Sequence, residues 1–137
     1  MDWQPYIKAS WEIVMAAEGK MQMHLDSELE AYLVHMVARN FRNAKLTPDI
    51  VCLELGQARH VQDFRNIGDG CLFIDAWRIR RARLVSNDYY QRMGQIAYGY
   101  AATASRPFDA LFDRLGQEFK SLSKVLTGVR EIGRAHV

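Results

Sequence analysis

Histidine and glutamate side chains recur along one predicted helix at spacings that could form a metal site. One helix face combines two histidines with a glutamate and a tyrosine, because these four residues follow one another at steps of four, four and three: His24, Glu28, Tyr32 and His35. Further ligands could come from the next predicted helix, which carries Glu54 and His60. The set that a metal- or small-ligand-binding, ferritin-like bundle would use comprises Glu28, His35, Glu54 and His60.

The sequence lacks the motifs of the common metal-binding bundles. Carboxylate-bridged di-iron bundles carry two Glu-x-x-His pairs that face inward, and no Glu-x-x-His occurs here. No His-Glu-x-x-His is present either, and the nearest arrangement, His60-x-x-Asp63, has the reverse order. A solvated helix face with two ordinary histidines is therefore the favoured interpretation, and we expect no cofactor.

A second group of residues combines a tryptophan with closely spaced arginines, in the segment Trp77-Arg78-Ile79-Arg80-Arg81-Ala82-Arg83. Guanidinium groups form bidentate hydrogen bonds with carboxylates and phosphates, so this segment could bind an acidic protein or, as an alternative, a nucleic acid. The net charge of +2 makes a nucleic-acid partner the less favoured of the two. The simplest interpretation is a partly exposed helix whose arginines pair with acids such as Asp69, Asp75 and Asp88.

A third group, between Asp88 and Tyr100, contains four tyrosines. Tyrosine combines a large apolar ring with a polar tip, and it is enriched at binding surfaces. Within the same segment, Gly94, Ala97 and Ala101 form a smooth strip that would let another helix approach closely. The alternative is a core helix whose tyrosine hydroxyls are bonded internally.

These observations favour a non-enzymatic helical protein that binds another protein or itself through residues 77–100, with a homodimer as one form. Arg, Trp and Tyr carry much of the energy at protein interfaces. The candidate binding residues are Trp77, Arg80, Arg81, Arg83, Tyr89 and Tyr90. We predict no catalytic residue, because the chain has no nucleophile elbow, P-loop or dinucleotide-binding motif.

Apolar residues recur every three or four positions, which predicts helices and no strands. We expect helices over about 5–20, 27–42, 47–60, 70–85, 87–104 and 107–130, with a break or weak turn at 66–70. Ser27 and Glu30 fit a capping box for the second helix. The last predicted helix carries a heptad seam, for which packing inside its own bundle is favoured over an oligomer interface. The seam consists of Phe108, Phe112, Leu115, Phe119, Leu122, Leu126 and Val129.

The composition predicts one globular domain over residues 1–137, an all-α compact bundle of about five to six helices with a frayed tail at 133–137. Hydrophobic residues make up 49% of the 137 residues and charged residues 25%, which excludes a disordered chain. No apolar run approaches the roughly 20 residues of a membrane span, and the N-terminus lacks the pattern of a secretion signal. Cys52 and Cys71 stand alone among apolar residues, so we expect buried thiols and a cytoplasmic protein.

The chain resembles a group of uncharacterised bacterial all-helical proteins over about half of its length. The resemblance is carried by Arg65-Asn66-Ile67-Gly68-Asp69, Val85-Ser86-Asn87-Asp88-Tyr89-Tyr90, Met93-Gly94-Gln95-Ile96-Ala97-Tyr98 and Leu111-Phe112-Asp113-Arg114-Leu115. It implies a helical fold and a bacterial cytoplasmic origin. It implies no activity, cofactor or ligand.

Overall fold

The computed structural model describes residues 4–41, 55–77 and 87–135, and almost all of them lie in six α-helices. The helices are α1 (Gln4–Met21), α2 (Ser27–Phe41), α3 (Val61–Trp77), α4 (Asn87–Ala104), α5 (Asp109–Gln117) and α6 (Phe119–Ala135). Short 3₁₀ turns at Leu55–Gln57 and Arg106–Phe108 precede α3 and α5. The predicted all-α bundle is confirmed, and no strand occurs in the described ranges.

The helices pack in a pattern that the apolar stripes explain. α3 lies along α4, α1 packs between α2 and α6, and α5 covers one side of α4. The seam of α5 and α6 faces the interior, where Leu115, Phe119 and Leu126 are fully buried. The heptad pattern therefore marks the core of the protein's own bundle, as the sequence favours. Burial of each such side chain stabilises the fold by roughly 1.5–3 kcal/mol.

The break predicted at residues 66–70 is wrong, because α3 runs through it without interruption. Glycine inside a helix costs about 1 kcal/mol relative to alanine, which is why Gly68 suggested a break. Packing explains its presence in the helix. A Cβ atom at Gly68 would lie 2.6 Å from the Tyr98 ring, so only glycine lets α4 approach α3 this closely.

The single helix predicted over 107–130 is also wrong, since the structure divides it at two places. Residues Arg106–Phe108 form a 3₁₀ turn, and Phe108 at the start of the predicted seam is exposed. α5 then ends at Gln117, and Glu118 has φ −99° and ψ 20° before α6 begins. The Glu118 amide still donates to the Arg114 carbonyl at 2.8 Å, so the junction is a kink within one continuous hydrogen-bonded path.

The start of α2 differs from the predicted capping box by one residue. The Asp26 carboxylate, rather than the Ser27 hydroxyl, accepts the backbone amides of Glu28 and Leu29, at 3.1 and 3.2 Å. Asp26 therefore caps the helix, which an aspartate does as well as a serine. Glu30 is consequently not needed for capping and faces α1 instead.

Three expectations lie wholly or partly outside the described residues. The predicted helix over 47–60 is described only from residue 55, where a 3₁₀ turn replaces it, and the predicted end of the next helix near residue 85 lies beyond residue 77. Cys52 is not described, whereas Cys71 is a buried thiol. None of the helices in the described ranges has the length and apolar character needed to cross a membrane.

Candidate functional site

The buried face of α4 is attached to α2 and α3 by one carboxylate in the interior. Asp69 of α3 accepts hydrogen bonds at one oxygen from the hydroxyls of Tyr98, at 2.6 Å, and Tyr32, at 2.7 Å. Its other oxygen lies 3.3 Å from Arg39 and 3.8 Å from Arg65. The Arg65 Nε also donates to the Tyr32 hydroxyl at 3.1 Å. We call these five residues the Asp69 network.

The charge of the Asp69 carboxylate is compensated within the protein by Arg39 and Arg65. Burial raises the pKa of the Asp69 carboxyl, while hydrogen bonds from Tyr98 and Tyr32 limit that rise. Burial, reinforced by the nearby Asp69 charge, raises the pKa of both tyrosines well above the usual value, so both hydroxyls remain donors. Every oxygen of Asp69 has a partner, which is typical of a structural cross-link. The network therefore fixes the orientation of α4.

The opposite side of α4 carries a stripe of apolar and aromatic side chains toward solvent. Tyr89, Ile96 and Tyr100 are 46%, 48% and 51% exposed, and they account for three of the five exposed large apolar side chains among the described residues. Met93 lies between them and is half-buried. Asp88 and Arg92 join Tyr89, Met93 and Ile96 in lining a shallow depression of about 320 Å³. We call Tyr89, Met93, Ile96 and Tyr100 the α4 stripe.

The spacing of the α4 stripe is symmetric along the helix. Its residues follow at steps of four, three and four, which is a heptad pattern. Tyr89 and Tyr100 lie equally far from the midpoint, as do Met93 and Ile96. The charged residues Asp88 and Arg92 lie in the first half of the helix, while residues 95–104 carry no charge. The stripe is therefore compatible with a second copy of itself in antiparallel orientation.

The six binding residues predicted from the sequence fall into three groups by their position in the structure. Tyr89 is exposed on the α4 stripe, and Tyr90 beside it is half-buried, with the two rings in edge-to-face contact at 5.3 Å. Trp77 is only 3% exposed, and its indole N–H donates to the Leu126 carbonyl at 2.9 Å, so it belongs to the core. The remaining three lie outside the described residues: Arg80, Arg81 and Arg83.

Two of the three acids named as internal partners of the arginine segment have other partners in the described part of the chain. Asp69 pairs with Arg39 and Arg65 in the Asp69 network. Asp75 accepts a hydrogen bond from the Ser123 hydroxyl at 2.6 Å. Both interactions connect helices of the bundle.

The predicted metal residues do not come together as a ligand set within the described residues. Glu28 forms an ion pair with Arg114 at 3.2 Å. Glu28 and the exposed His35 both line a groove of about 510 Å³ between α2 and the start of α5. His60 is exposed at the start of α3, where the Asp63 carboxylate accepts its backbone amide at 3.1 Å. Glu54 lies outside the described residues.

Sequence reasoning singled out α4 but missed which of its residues face solvent. The strip of Gly94, Ala97 and Ala101 is buried as expected, because a Cβ atom at Gly94 would lie 2.3 Å from the Phe119 ring. That strip sets the inward face of α4, and the heptad spacing on the other side could have identified Met93, Ile96 and Tyr100. Comparison with protein-family models, curated proteins and solved structures finds no match to this chain.

Proposed function

We propose that this chain is a non-enzymatic helical-bundle protein that self-associates through the α4 stripe. One observation carries the proposal: three of the five exposed large apolar side chains among the described residues lie on one face of one helix. Such side chains are ordinary when scattered, whereas a contiguous apolar stripe bordered by polar residues is typical of an interaction surface. The proposal keeps Tyr89 and Tyr90 of the sequence-based candidates and adds Met93, Ile96 and Tyr100.

The binding partner that best fits the α4 stripe is a second copy of the chain. In an antiparallel pair of α4 helices, each tyrosine of the stripe faces a tyrosine of the partner, and Met93 faces Ile96. The half of the helix that carries Asp88 and Arg92 then faces the uncharged half of the other copy, so like charges are kept apart. The net charge of +2 adds little repulsion between copies.

The expected dimer is weak. Residues 89–100 span about 16 Å of helix axis, and a contact of this size lies below the area of standard stable interfaces. Each side chain of the stripe is already about half-buried, so its further burial contributes less than the roughly 1.5–3 kcal/mol of a full transfer from water, and the cost of association is subtracted from the sum. We therefore expect a weak dimer that forms only at high protein concentration.

Sedimentation equilibrium of the untagged chain over a wide concentration range tests the proposal. We expect the weight-average mass to rise from monomer to dimer, and Ile96→Lys to abolish the rise because it places a charge at the centre of the pair. Met15→Lys on α1 is the matched control. Like Ile96, Met15 is a large exposed apolar side chain, with 61% of it accessible, but it lies away from the α4 stripe. A wild-type chain that stays monomeric at millimolar concentration, or equal dimerisation of the two variants, contradicts the proposal.

The two alternative functions remain predictions. Glu28 and His35 lie in the same groove, beside Tyr32, and that arrangement supports binding of a small ligand there rather than the four-residue metal site. Nucleic-acid binding would depend on Arg78–Arg83, which lie outside the described residues. Such binding would show an affinity for nucleic acid that falls steeply as the salt concentration rises.

A further inference from the structure

The connection between α1 and α2 is organised around Glu18. The Glu18 carbonyl accepts the Met23 amide at 2.9 Å, and Gln22 closes the turn with a φ of 54°. The Glu18 side chain folds back under the turn, where Oε2 accepts the Leu25 amide at 3.1 Å. The turn therefore holds one carboxylate at a defined place beneath the start of α2.

Two more side chains that can bind metals converge on this carboxylate. The His24 Nδ1 atom lies 3.6 Å from the Glu18 Oε2, and Glu30 approaches from the first turn of α2. One ligating atom from each of Glu18, His24 and Glu30 lies within 4.8 Å of the others. In the described part of the chain, this is the one place where three or more His, Cys, Asp or Glu side chains meet in this way.

The Glu18 carboxylate is buried and only half satisfied. Its side chain is 7% exposed, and its Oε1 is a buried oxygen that finds no hydrogen-bond donor among the described residues. Most buried polar atoms in proteins have a partner, because an unsatisfied one costs folding free energy. A proton or a cation bound at this second oxygen of Glu18 would give it the missing partner.

The nearby basic side chains do not supply that positive charge. Lys20 pairs with Glu131 of α6, and Arg114 of α5 pairs with Asp26 and Glu28. No Lys or Arg of the described residues forms an ion pair with Glu18 or Glu30. Within the described ranges, the two carboxylates therefore lie close together with no lysine or arginine to compensate them, and the His24 imidazole is the one basic group recorded beside Glu18.

We propose that Glu18, His24 and Glu30 bind one divalent transition-metal ion such as Zn²⁺ at the α1–α2 turn. One imidazole nitrogen and two carboxylate oxygens are a ligand set that Zn²⁺ accepts, with water in the fourth position of a tetrahedron. Ligand atoms around such an ion lie about 3.4 Å apart, so small rotations of the half-buried Glu30 and the exposed His24 complete the site. The imidazole makes Mg²⁺ and Ca²⁺ poor occupants, because both prefer oxygen ligands.

A proton is the competitor for the same position. The Glu18 carboxylate raises the pKa of Glu30 to about 7, chiefly because a protonated Glu30 can donate a hydrogen bond to it, with burial and the Glu18 charge adding to the rise. A proton on Glu30 lets the two carboxyls share a hydrogen bond, and a bound ion displaces it.

Isothermal titration of the untagged full chain with ZnCl₂ tests the site. We expect one ion per chain, and an association constant lowered at least about tenfold in both Glu30→Gln and His24→Asn. Both side chains are at least partly exposed, so the variants are expected to fold, which circular dichroism checks. His35→Asn is the matched control, because His35 is an exposed histidine of α2 outside the cluster, and it should bind Zn²⁺ like the wild type.

Two results would overturn the metal site. In the first, the wild type binds no Zn²⁺ at millimolar concentration and its melting temperature does not change between ZnCl₂ and a chelator. In the second, Zn²⁺ binds with the same affinity to Glu30→Gln, His24→Asn and the wild type. Either result would assign the cluster to a carboxyl pair that shares a proton. The outcome is independent of self-association, since the site and the α4 stripe have no residue in common.

Discussion

At the scale of single residues, the carboxylates of Asp69 and Glu18 are stabilised to different extents. Asp69 receives two tyrosine hydroxyls and two guanidinium groups, so its charge is compensated inside the protein. Glu18 accepts one backbone amide and has the His24 imidazole 3.6 Å away, and its Oε1 has no hydrogen-bond donor among the described residues. The difference explains why we regard Asp69 as a cross-link between helices and Glu18 as part of a binding site.

Glu30→Gln should alter the pH dependence of stability in the presence of a chelator. The folded pKa of about 7 lies above the ordinary value of 4.5, so the stabilising contribution of protonated Glu30 is present below about pH 4.5 and is lost as the pH rises through 7. A glutamine at position 30 cannot lose a proton, so the variant does not lose stability in this pH range. Because Glu30 is half-exposed and solvent screens its charge, we expect the variant to be more stable than the wild type above pH 7 by on the order of 1 kcal/mol.

Urea unfolding at several pH values measures this effect. Glu12→Gln, which alters an exposed glutamate of α1, is the control and should follow the wild-type curve. Equal pH dependence of the wild type and Glu30→Gln would show that Glu18 and Glu30 do not share a proton.

Two glycine-to-alanine changes should have opposite effects on stability. Gly68→Ala adds a Cβ atom that would lie 2.6 Å from the Tyr98 ring, and the overpacking should destabilise the fold by about 1–3 kcal/mol. Gly19→Ala in α1 adds a Cβ atom that meets nothing within 4 Å, so the better helix propensity should stabilise the fold by about 0.5–1 kcal/mol. Thermal unfolding measured by circular dichroism distinguishes the two, and a stabilised Gly68→Ala would mean that α3 and α4 lie farther apart.

At the scale of elements, the helix ends and kinks set the orientation of each helix. α1 ends in a Schellman motif, in which the Met23 amide donates to the Glu18 carbonyl and the Gln22 amide to the Gly19 carbonyl. α5 and α6 share one apolar seam but bend at Glu118. α4 is held by Tyr98 on one face and exposes the α4 stripe on the other, so one helix serves both the core and the proposed interface.

Gln22→Gly should strengthen the end of α1. Gln22 is the one non-glycine residue with a positive φ among the described residues, and the left-handed conformation costs about 1–2 kcal/mol for a residue with a Cβ atom. Glycine removes that cost but adds entropy to the unfolded chain, so we expect a net gain of about 0.5–1 kcal/mol. Urea unfolding measures the gain, and Gln22→Ala, which keeps the Cβ atom, should show none. Equal stability of the two variants would contradict the strained turn.

At the scale of the whole molecule, self-association would link stability to protein concentration. If two copies pair through the α4 stripe, the melting temperature of the wild type rises with concentration, because the dimer is populated only in the folded state. The melting temperature of Ile96→Lys should be independent of concentration. The Asp69 network and the buried strip of α4 lie on the far side of the helix and should keep the variant folded.

The sequence by itself determined the helical class, most helix positions and the buried seam of α5 and α6. These follow from local periodicity, which a single helix displays regardless of its neighbours. It also pointed to α4, because tyrosines and small residues at helical spacing are visible without a fold. The predicted break at Gly68 failed because local propensity contains no information about the Tyr98 ring that packs against it.

Only the tertiary structure decided which polar side chains meet. Asp69, Tyr32 and Tyr98 come from three helices, and Glu18 and Glu30 come from two that reverse direction at the turn. Spacing along one helix could propose His24 and His35 as ligands of one site, but the tight turn brings His24 to Glu18. The physical reason is that contacts between helices depend on how the chain reverses and which faces pack, and these properties belong to the whole fold.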